Sequence, residues 1–150
     1  VRRNPRSLGR AAAGLSIGGS TVTAGGFVEA RPHWSVAAAA ALGGFAVRQG
    51  DRTRGALAVS FEGQLTPIPF RLTPVLGGGL MALLGGGAPV VDALLWSLPT
   101  GGNARVVPYA LVGARYDFRR RVWIAVHVRL APSPLLGVAP IPGVQIGLRF

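Results

Sequence analysis

Apolar residues alternate with polar or small residues along most of the chain. The alternation is clearest at the end of the sequence, which reads Val-Gln-Ile-Gly-Leu-Arg-Phe over 144–150. Successive side chains of a β-strand point to opposite faces, so this period of two predicts a strand with one apolar face. The same pattern predicts eight strands, at about 13–22, 26–31, 34–47, 56–65, 70–84, 106–118, 121–130 and 144–150.

The connections between the predicted strands differ in length in an alternating way. The first connection, 23–25, is short and breaks the alternation. Of the other six, 32–33, 66–69 and 119–120 have four residues or fewer, and 48–54, 85–105 and 131–142 are longer. Barrels of bacterial outer membranes have short periplasmic turns and longer outer loops. A closed barrel also gives every backbone N–H and C=O in hydrocarbon a partner. The pattern therefore predicts an all-β fold, an eight-stranded antiparallel up-and-down transmembrane β-barrel.

Aromatic residues gather on the apolar face beside the short connections and at the C-terminal end. The set comprises Trp34, Phe70, Tyr116, Phe118 and Phe150. In an up-and-down barrel these positions lie at the same rim, and aromatic rings are enriched at membrane interfaces. We therefore interpret them as an aromatic girdle.

The composition indicates that something other than water covers part of the protein surface. The chain has 150 residues, of which 49% are hydrophobic and 14% charged, and it contains no Cys. Its length indicates one domain, and the absence of Cys excludes a disulfide scaffold. All 16 basic residues are Arg, against 5 acidic residues, which gives a net charge of +11 and favours anionic partners.

The basic clusters favour membrane lipid over nucleic acid as the anionic partner. They occur at 1–10, 48–54 and 119–121, without interleaved aromatic residues and without a recognisable nucleic-acid-binding module. We therefore expect no nucleic acid, and instead expect contact with outer-membrane lipid and lipopolysaccharide, whose phosphates suit Arg.

Two other folds fit parts of the sequence. The uncharged stretch 72–91 is long enough to cross a membrane as a helix, but it contains six Gly and two Pro, which disfavour one. A soluble lipocalin-like barrel would place the apolar face inward. Its outer face would then consist mainly of Ala, Gly and Ser with few charges, which makes a poor water-facing surface.

The strand and loop pattern resembles the small eight-stranded barrels of the bacterial outer membrane, the OmpA-like and OmpX-like family. The resemblance covers about 11–150. Its most specific element is the terminal strand, which looks like the signal that the outer-membrane assembly machinery reads: Val144, Ile146, Leu148 and Phe150. The resemblance implies an integral outer-membrane protein with both termini in the periplasm. Because the sequence given starts with Val1, 1–10 is expected to be a basic periplasmic tail of a processed chain.

Charged residues on the inward face of such a barrel must be paired, because burying an isolated charge is costly. The predicted inward positions are Glu29, Arg31, Glu62, Arg71, Arg115, Asp117 and Arg149. All lie in the half of the barrel near the short turns. The sequence therefore predicts an ion-pair network that fills this half of the lumen.

The long third loop has an apolar centre. Apolar residues recur there at roughly helical spacing, at Val90, Val91, Leu94, Leu95 and Leu98, and Trp96 is a further candidate contact residue. We predict a short amphipathic helix over 90–98 that docks on a partner protein or on the outer leaflet. The alternative is a loop that folds over the mouth of the barrel.

Residues suited to catalysis are scarce. The chain contains two His, His33 and His127, and no Cys, and no acid is spaced with Ser and His in a recognisable motif. We therefore predict no enzymatic activity, no cofactor and no metal site. The predicted role is a membrane anchor or structural component that contacts other envelope proteins through the third loop. A barrel that binds lipid or another hydrophobic ligand, and a narrow channel, remain alternatives.

Overall fold

The computed structural model describes residues 11–18, 23–118 and 121–150, so the predicted tail at 1–10 lies outside the described residues. Nine strands and one 3-10 helix follow each other along the chain: β1 (Ala11–Gly18), β2 (Thr23–His33), β3 (Val36–Gln49), β4 (Arg52–Leu65), β5 (Leu72–Leu84), the helix (Ala88–Ala93), β6 (Leu98–Gly101), β7 (Ala104–Asp117), β8 (Val122–Ser133) and β9 (Gly137–Arg149). In the described ranges, no helix has the length and apolar character needed to cross a membrane.

Eight of these strands close into a barrel. Neighbours along the chain pair antiparallel, β5 pairs with β7, and the first and last strands meet, from Ala12 opposite Arg149 to Gly18 opposite Gly143. The predicted eight-stranded antiparallel up-and-down barrel is therefore confirmed. We call the end with Ala11 and Phe150 the terminal rim, and the opposite end, which carries the connection from β5 to β7, the loop rim.

The short strand β6 belongs to the long connection and not to the eight-stranded wall. It pairs with β7 near the loop rim, with Leu98 opposite Val106. The backbone N–H of Trp96 donates a hydrogen bond of 2.8 Å to the carbonyl of Pro132 in β8. This segment of the loop thus bridges β7 and β8 where their direct pairing, which extends to Ala110 opposite Leu130, has ended.

Two of the three predicted long connections are tight hairpin turns. The prediction of a loop at 48–54 is wrong, because β3 and β4 stay paired to Gln49 opposite Arg52, and Gly50 makes the turn with a φ of 60°. The prediction of a loop at 131–142 is also wrong, because β8 and β9 stay paired to Ser133 opposite Gly137. The connection from β5 to β7 is long, as predicted.

Proline and charge caused both errors. The prolines at 132, 140 and 142 suggested a loop, since proline cannot donate to a strand ladder. In the structure they lie on exposed ends of β8 and β9, at or beyond the described pairing with β7 and β1. An edge position tolerates a missing donor. The charged residues at 48–54 lie at the ends of β3 and β4, which stay paired with each other there, beyond the part of β4 that pairs with β5.

Each barrel strand has an apolar outer face. A large apolar side chain is exposed on every strand of the wall: Leu15, Val28, Leu42, Phe61, Leu76, Val112, Val126 and Ile146. Neighbouring positions of opposite parity are buried inside: Ala12, Glu29, Ala39, Glu62, Val75, Arg115, His127 and Gln145. Large apolar side chains therefore cover the outside of the barrel, and the buried polar and charged side chains of the wall lie inside it.

Candidate functional site

Three arginines and two carboxylates form one buried cluster in the lumen near the terminal rim. We call it the Glu29–Asp117 cluster; it comprises Glu29, Arg31, Arg115, Asp117 and Arg149. Glu29 Oε1 accepts a hydrogen bond of 2.9 Å from Arg31 Nη2, and both Glu29 oxygens lie 3.1 Å from Arg115 Nη1. Asp117 pairs with Arg149 and lies 3.6 Å from Arg115 Nε. Each carboxylate therefore bridges two arginines.

One backbone carbonyl and one hydroxyl fix the cluster to the barrel at the terminal rim. Arg31 Nη1 donates to the carbonyl of Trp34, at 2.9 Å, and to the hydroxyl of Thr66, at 3.2 Å. The Thr66 hydroxyl itself donates to the same Trp34 carbonyl, at 3.1 Å. The turn between β2 and β3 and the end of β4 are thereby joined through one guanidinium, a role for Thr66 that the sequence pattern did not reveal.

Arg115 stacks on an aromatic ring inside the barrel. Its guanidinium carbon lies 3.7 Å from the centre of the Trp123 ring, and both side chains are 1% exposed. A cation over an indole face is attracted by the ring quadrupole, most strongly where water is excluded. Trp123 also packs against Phe27, with ring centroids 5.4 Å apart. The ring thus supports a buried charge on one side of the lumen.

Glu62 belongs to a second, separate cluster farther from the terminal rim. Its oxygens accept hydrogen bonds from Gln64 Nε2 at 2.7 Å, from the Tyr109 hydroxyl at 2.8 Å and from Arg129 Nη2 at 3.1 Å. We call these four residues the Glu62 cluster. The sequence pattern placed Glu62 in one network with Glu29. Tyr109 and Arg129 were missed, although their parity along β7 and β8 points both of them inward.

Arg71 does not join either cluster. Its predicted inward position is wrong, because β5 begins at Leu72 and the Arg71 side chain is exposed at the terminal rim. Its carbonyl instead accepts a hydrogen bond of 2.8 Å from the backbone N–H of Asp117. Thr73, two residues on, takes the first buried inward position of β5.

Apolar side chains fill the loop end of the lumen, and several of them come from the long loop itself. Ala88, Val91 and Leu95 of the loop are 0%, 9% and 7% exposed. They pack in one cluster with inward residues of four strands: Phe45, Val75, Leu83, Val107, Tyr109, Leu111 and Ala131. The long connection thus plugs this end of the barrel with its own side chains.

The predicted amphipathic helix over 90–98 is wrong in its type and its bounds. The helix is of the 3-10 type and ends at Ala93, and Leu98 already begins β6. Val91 and Leu95 face the lumen and are unavailable for docking, while Val90 is partly buried against the same apolar cluster. Leu94, Trp96 and Leu98 remain about half exposed, at 53%, 51% and 49%. The apolar residues of the loop therefore divide into a plug and an exposed patch.

A polar latch holds the plug in place. The Asp92 carboxylate accepts hydrogen bonds from the Ser97 hydroxyl, at 2.5 Å, and from Arg105 Nε, at 2.8 Å. These two donors hold the pKa of Asp92 below its ordinary value. The latch connects the helix to the start of β7, and it lies at the surface of the loop rim, where both partners contact solvent.

The predicted girdle and terminal-strand residues lie on the outer surface. Phe70, Tyr116, Phe118 and Phe150 are exposed, and Trp34 is half-buried in the turn between β2 and β3. Tyr116 and Phe118 make an edge-on contact with ring centroids 4.8 Å apart. Val144, Ile146 and Leu148 of the last strand face outward, and Phe150, directly after the strand, is exposed as well.

The two histidines occupy different environments. His33 is exposed at the terminal rim, where its Nδ1 lies 2.7 Å from the Ser35 hydroxyl. His127 is buried in the lumen. Within the described residues, no group of three or more His, Cys, Asp or Glu side chains is arranged to hold a metal ion.

The comparisons with known proteins show the fold and no more than the fold. The chain resembles the N-terminal β-barrel domain of Pseudomonas aeruginosa OprF in its crystal structure, with a TM-score of 0.60 at 12% sequence identity. The match covers 95% of this chain and 98% of that chain. Neither a protein-family profile nor a curated protein sequence matches the chain. The predicted resemblance to small eight-stranded outer-membrane barrels is thus confirmed at the level of structure.

Proposed function

We propose that the chain is an integral barrel of the bacterial outer membrane that acts as a membrane anchor or structural component and not as an enzyme. The observation that carries the proposal is the inverted distribution of side chains, apolar outside on all eight strands and charged inside. Hydrocarbon is the solvent that favours such an outer surface. The fold shared with the OprF barrel domain supports the same location.

The filled lumen favours a structural role over a channel. The Glu29–Asp117 cluster, the Glu62 cluster and the loop plug follow one another from the terminal rim to the loop rim. An eight-stranded barrel has an interior that side chains can just fill. Binding of a hydrophobic ligand inside the barrel would require the plug to leave, since Val91 and Leu95 occupy the apolar end.

The exposed patch of the long loop is the proposed contact with other molecules. Leu94, Trp96 and Leu98 lie at the loop rim, about half exposed. In the proposed orientation, with both termini in the periplasm, this rim faces outward and the outer face of β9 carries the assembly signal. Exposed arginines on the β3–β4 hairpin, Arg48, Arg52 and Arg54, would there meet lipopolysaccharide phosphates. The proposed partners are outer-membrane lipid, the assembly machinery and other envelope proteins.

Gel mobility and circular dichroism test the barrel in membranes. Detergent-extracted protein from the outer-membrane fraction should migrate faster in SDS before heating than after heating, and should show a strand spectrum. Recovery in the soluble fraction, or a helical spectrum without a heat shift, would overturn the proposal.

Cysteine labelling tests the orientation, because the chain has no Cys of its own. Asn103→Cys at the loop rim should react with a membrane-impermeant maleimide on intact cells, whereas Pro67→Cys at the terminal rim should react only after permeabilisation. The reverse result would invert the topology.

Photo-crosslinking tests the contact role. A probe at Trp96 should capture lipid or a second protein, and a probe at Asn103 serves as the control on the same rim. No adduct at Trp96 would contradict docking by this patch.

A further inference from the structure

Two exposed arginines lie on either side of an exposed aromatic pair at the terminal rim. Arg71 directly precedes β5, Arg121 directly precedes β8, and both side chains are exposed. Tyr116 and Phe118 lie between them, at the end of β7 and just beyond it, and are 37% and 55% exposed. We call these four residues the rim patch. The patch combines two positive charges with an aromatic surface.

Backbone hydrogen bonds fix both arginines beside the end of β7. The carbonyl of Arg71 accepts a hydrogen bond of 2.8 Å from the N–H of Asp117. The N–H of Phe118 donates one of 3.1 Å to the carbonyl of Val122, the residue after Arg121. Because adjacent strands lie about 4.8 Å apart, the backbones on the two sides of β7 are separated by roughly 10 Å. Two long arginine side chains can therefore reach one ligand between them.

The exposed surface of the terminal rim carries no acidic side chain. The chain has five acidic residues, and the structure describes all of them. Glu29, Glu62 and Asp117 are buried in the lumen, whereas Asp51 and Asp92 lie at the loop rim. The charge that the described part of the terminal rim presents to its surroundings is therefore positive, which favours an anionic partner.

This positive charge is confined to one sector of the described rim. The β2–β3 turn, 34–35, and the part of the β4–β5 connection before Arg71, 66–70, contain no charged residue. The sequence has two more arginines directly before Arg121, at 119–120. A partner attracted by charge should therefore approach the ends of β5, β7 and β8.

The apolar outer wall begins directly beside the rim patch. Leu72, the residue after Arg71, is 63% exposed and pairs with Tyr116. In a bilayer such a wall contacts acyl chains, and aromatic rings lie at the level of the headgroups. A phospholipid whose chains pack on Leu72 would therefore present its phosphate to Arg71 and Arg121. Guanidinium groups suit this ligand, because they donate two parallel hydrogen bonds to phosphate oxygens.

From these observations we infer that the rim patch is a contact site for the phosphodiester headgroup of an anionic phospholipid. The inference rests on the proposed membrane location, and it adds a partner for the terminal rim. One arginine near an anionic membrane surface strengthens binding about fivefold. The two arginines together should favour an anionic over a zwitterionic phospholipid by roughly 5- to 25-fold at low ionic strength.

Fluorescence quenching in phosphatidylcholine vesicles tests the contact, because one introduced Cys can carry a fluorophore in a chain that has none. Leu72→Cys places the label beside the rim patch, and Val36→Cys places it in the uncharged sector. Leu72 and Val36 are the exposed first residues of β5 and β3. Nitroxide-labelled phosphatidylglycerol should quench the label at 72 at a lipid fraction at least about fivefold lower than nitroxide-labelled phosphatidylcholine. The two lipids should quench the label at 36 equally.

Paired substitutions separate the rim patch from general attraction to anionic lipid. Arg71→Gln combined with Arg121→Gln should remove most of the lipid preference at 72. Arg48→Gln combined with Arg52→Gln removes the same charge from the exposed β3–β4 hairpin and should leave that preference unchanged. Equal loss in the two double variants would overturn the site. Should the first double variant fail to refold, the comparison of the two lipids in the chain with all its arginines decides the question.

The quenching pattern also distinguishes failure of the site from failure of the proposed function. Equal quenching at 72 by both lipids would overturn the site and leave the membrane location intact. Quenching at 36 together with none at 72 would show that another molecule covers the rim patch, and this result would overturn the site as well. Quenching at neither position by either lipid would contradict the membrane location and the site together.

Discussion

The guanidinium of Arg115 rests on the ring of Trp123, and the ring in turn rests on the bare backbone of Gly147. The first distance is 3.7 Å to the ring centre, and a Cβ at Gly147 would come within 2.4 Å of Trp123 Cε2. Three neighbouring strands, β7, β8 and β9, are thereby stacked through one charge, one ring and one glycine. The absence of a side chain at Gly147 is what allows a large ring to lie flat against the wall.

Gly147→Ala should destabilise the barrel by about 1–3 kcal/mol, because the added methyl group forces Trp123 and the charge on it to move. Gly63→Ala is the matched control, since a Cβ at Gly63 meets nothing within 4 Å. Urea unfolding followed by tryptophan fluorescence measures both variants. Equal stability of the two would show that the Trp123 stack does not depend on Gly147.

Glu29→Gln should be among the most damaging single changes in the lumen. The substitution leaves Arg31 and Arg115 with a neutral partner, and removal of one partner from a buried ion cluster costs about 3–5 kcal/mol. Asp51→Asn, on the exposed turn between β3 and β4, should change the free energy of unfolding by no more than about 0.5 kcal/mol. A Glu29→Gln barrel as stable as the Asp51→Asn barrel would contradict the cluster.

The two neighbouring leucines of the loop should differ in their effect on stability. Leu95→Ala removes a buried part of the plug and should cost about 2–5 kcal/mol. Leu94 is 53% exposed, so Leu94→Ala should stay within about 0.5 kcal/mol of the natural chain. Unfolding free energies of the two variants under identical conditions test this. A reversed order would place the opposite face of the loop in the lumen.

The latch at Asp92 should open in acid. Because hydrogen bonds from Ser97 and Arg105 lower the pKa of Asp92, its contribution is fully present above the ordinary value of 3.8 and is lost as pH falls through the lowered value. Hydrogen exchange of the loop over 85–103, corrected for intrinsic rates, should stay constant from pH 7 to about 5 and increase below about pH 4. Asp92→Asn should remove this dependence, and Asp51→Asn should keep it.

A charged substitution on the outer face should show whether hydrocarbon surrounds the barrel wall. In a bilayer, Val126→Arg, in the middle of β8, should destabilise the barrel by about 2–4 kcal/mol, while Val138→Arg, near the tip of the β8–β9 hairpin, should cost about 0–1 kcal/mol. Both valines are exposed, at 57% and 53%. Equal costs in lipid vesicles would contradict a membrane-spanning wall.

The alternation of the sequence predicted the wall because each strand has one environment on each side. A period of two then assigns every residue of a strand to a face, and the parity of Glu29, Arg115, Asp117 and Arg149 was enough to place them in the lumen. It could not divide the charges into two clusters. That division depends on strand tilt and stagger, which determine how far Glu62 and Glu29 lie from the terminal rim along the barrel axis. The residue pattern of a single strand does not reveal tilt or stagger.

For the long loop, the sequence did not predict which side chains are buried. Helical spacing of Val91, Leu94 and Leu95 identified an apolar segment, but it did not reveal which side would be buried. The answer depends on the space that the inward residues of the other strands leave at the loop rim. Likewise, the prolines near the β8–β9 turn predicted a loop, because the sequence does not show that these strand ends lack neighbouring strands to which a backbone N–H would have to donate.

The seam between β1 and β9 has a kinetic consequence. Six of the eight wall pairings join consecutive strands, and a seventh joins β5 to β7 past the loop strand β6. The seam, in contrast, joins Ala12 to Arg149 and so spans nearly the whole sequence. Local hairpins form early, and the contact with the largest sequence separation forms late. Until the last strand reaches the first, the unfinished sheet presents two open edges to any neighbouring chain. A longer-lived open sheet should therefore make the newly made protein more prone to aggregation, whatever the stability of the finished cylinder.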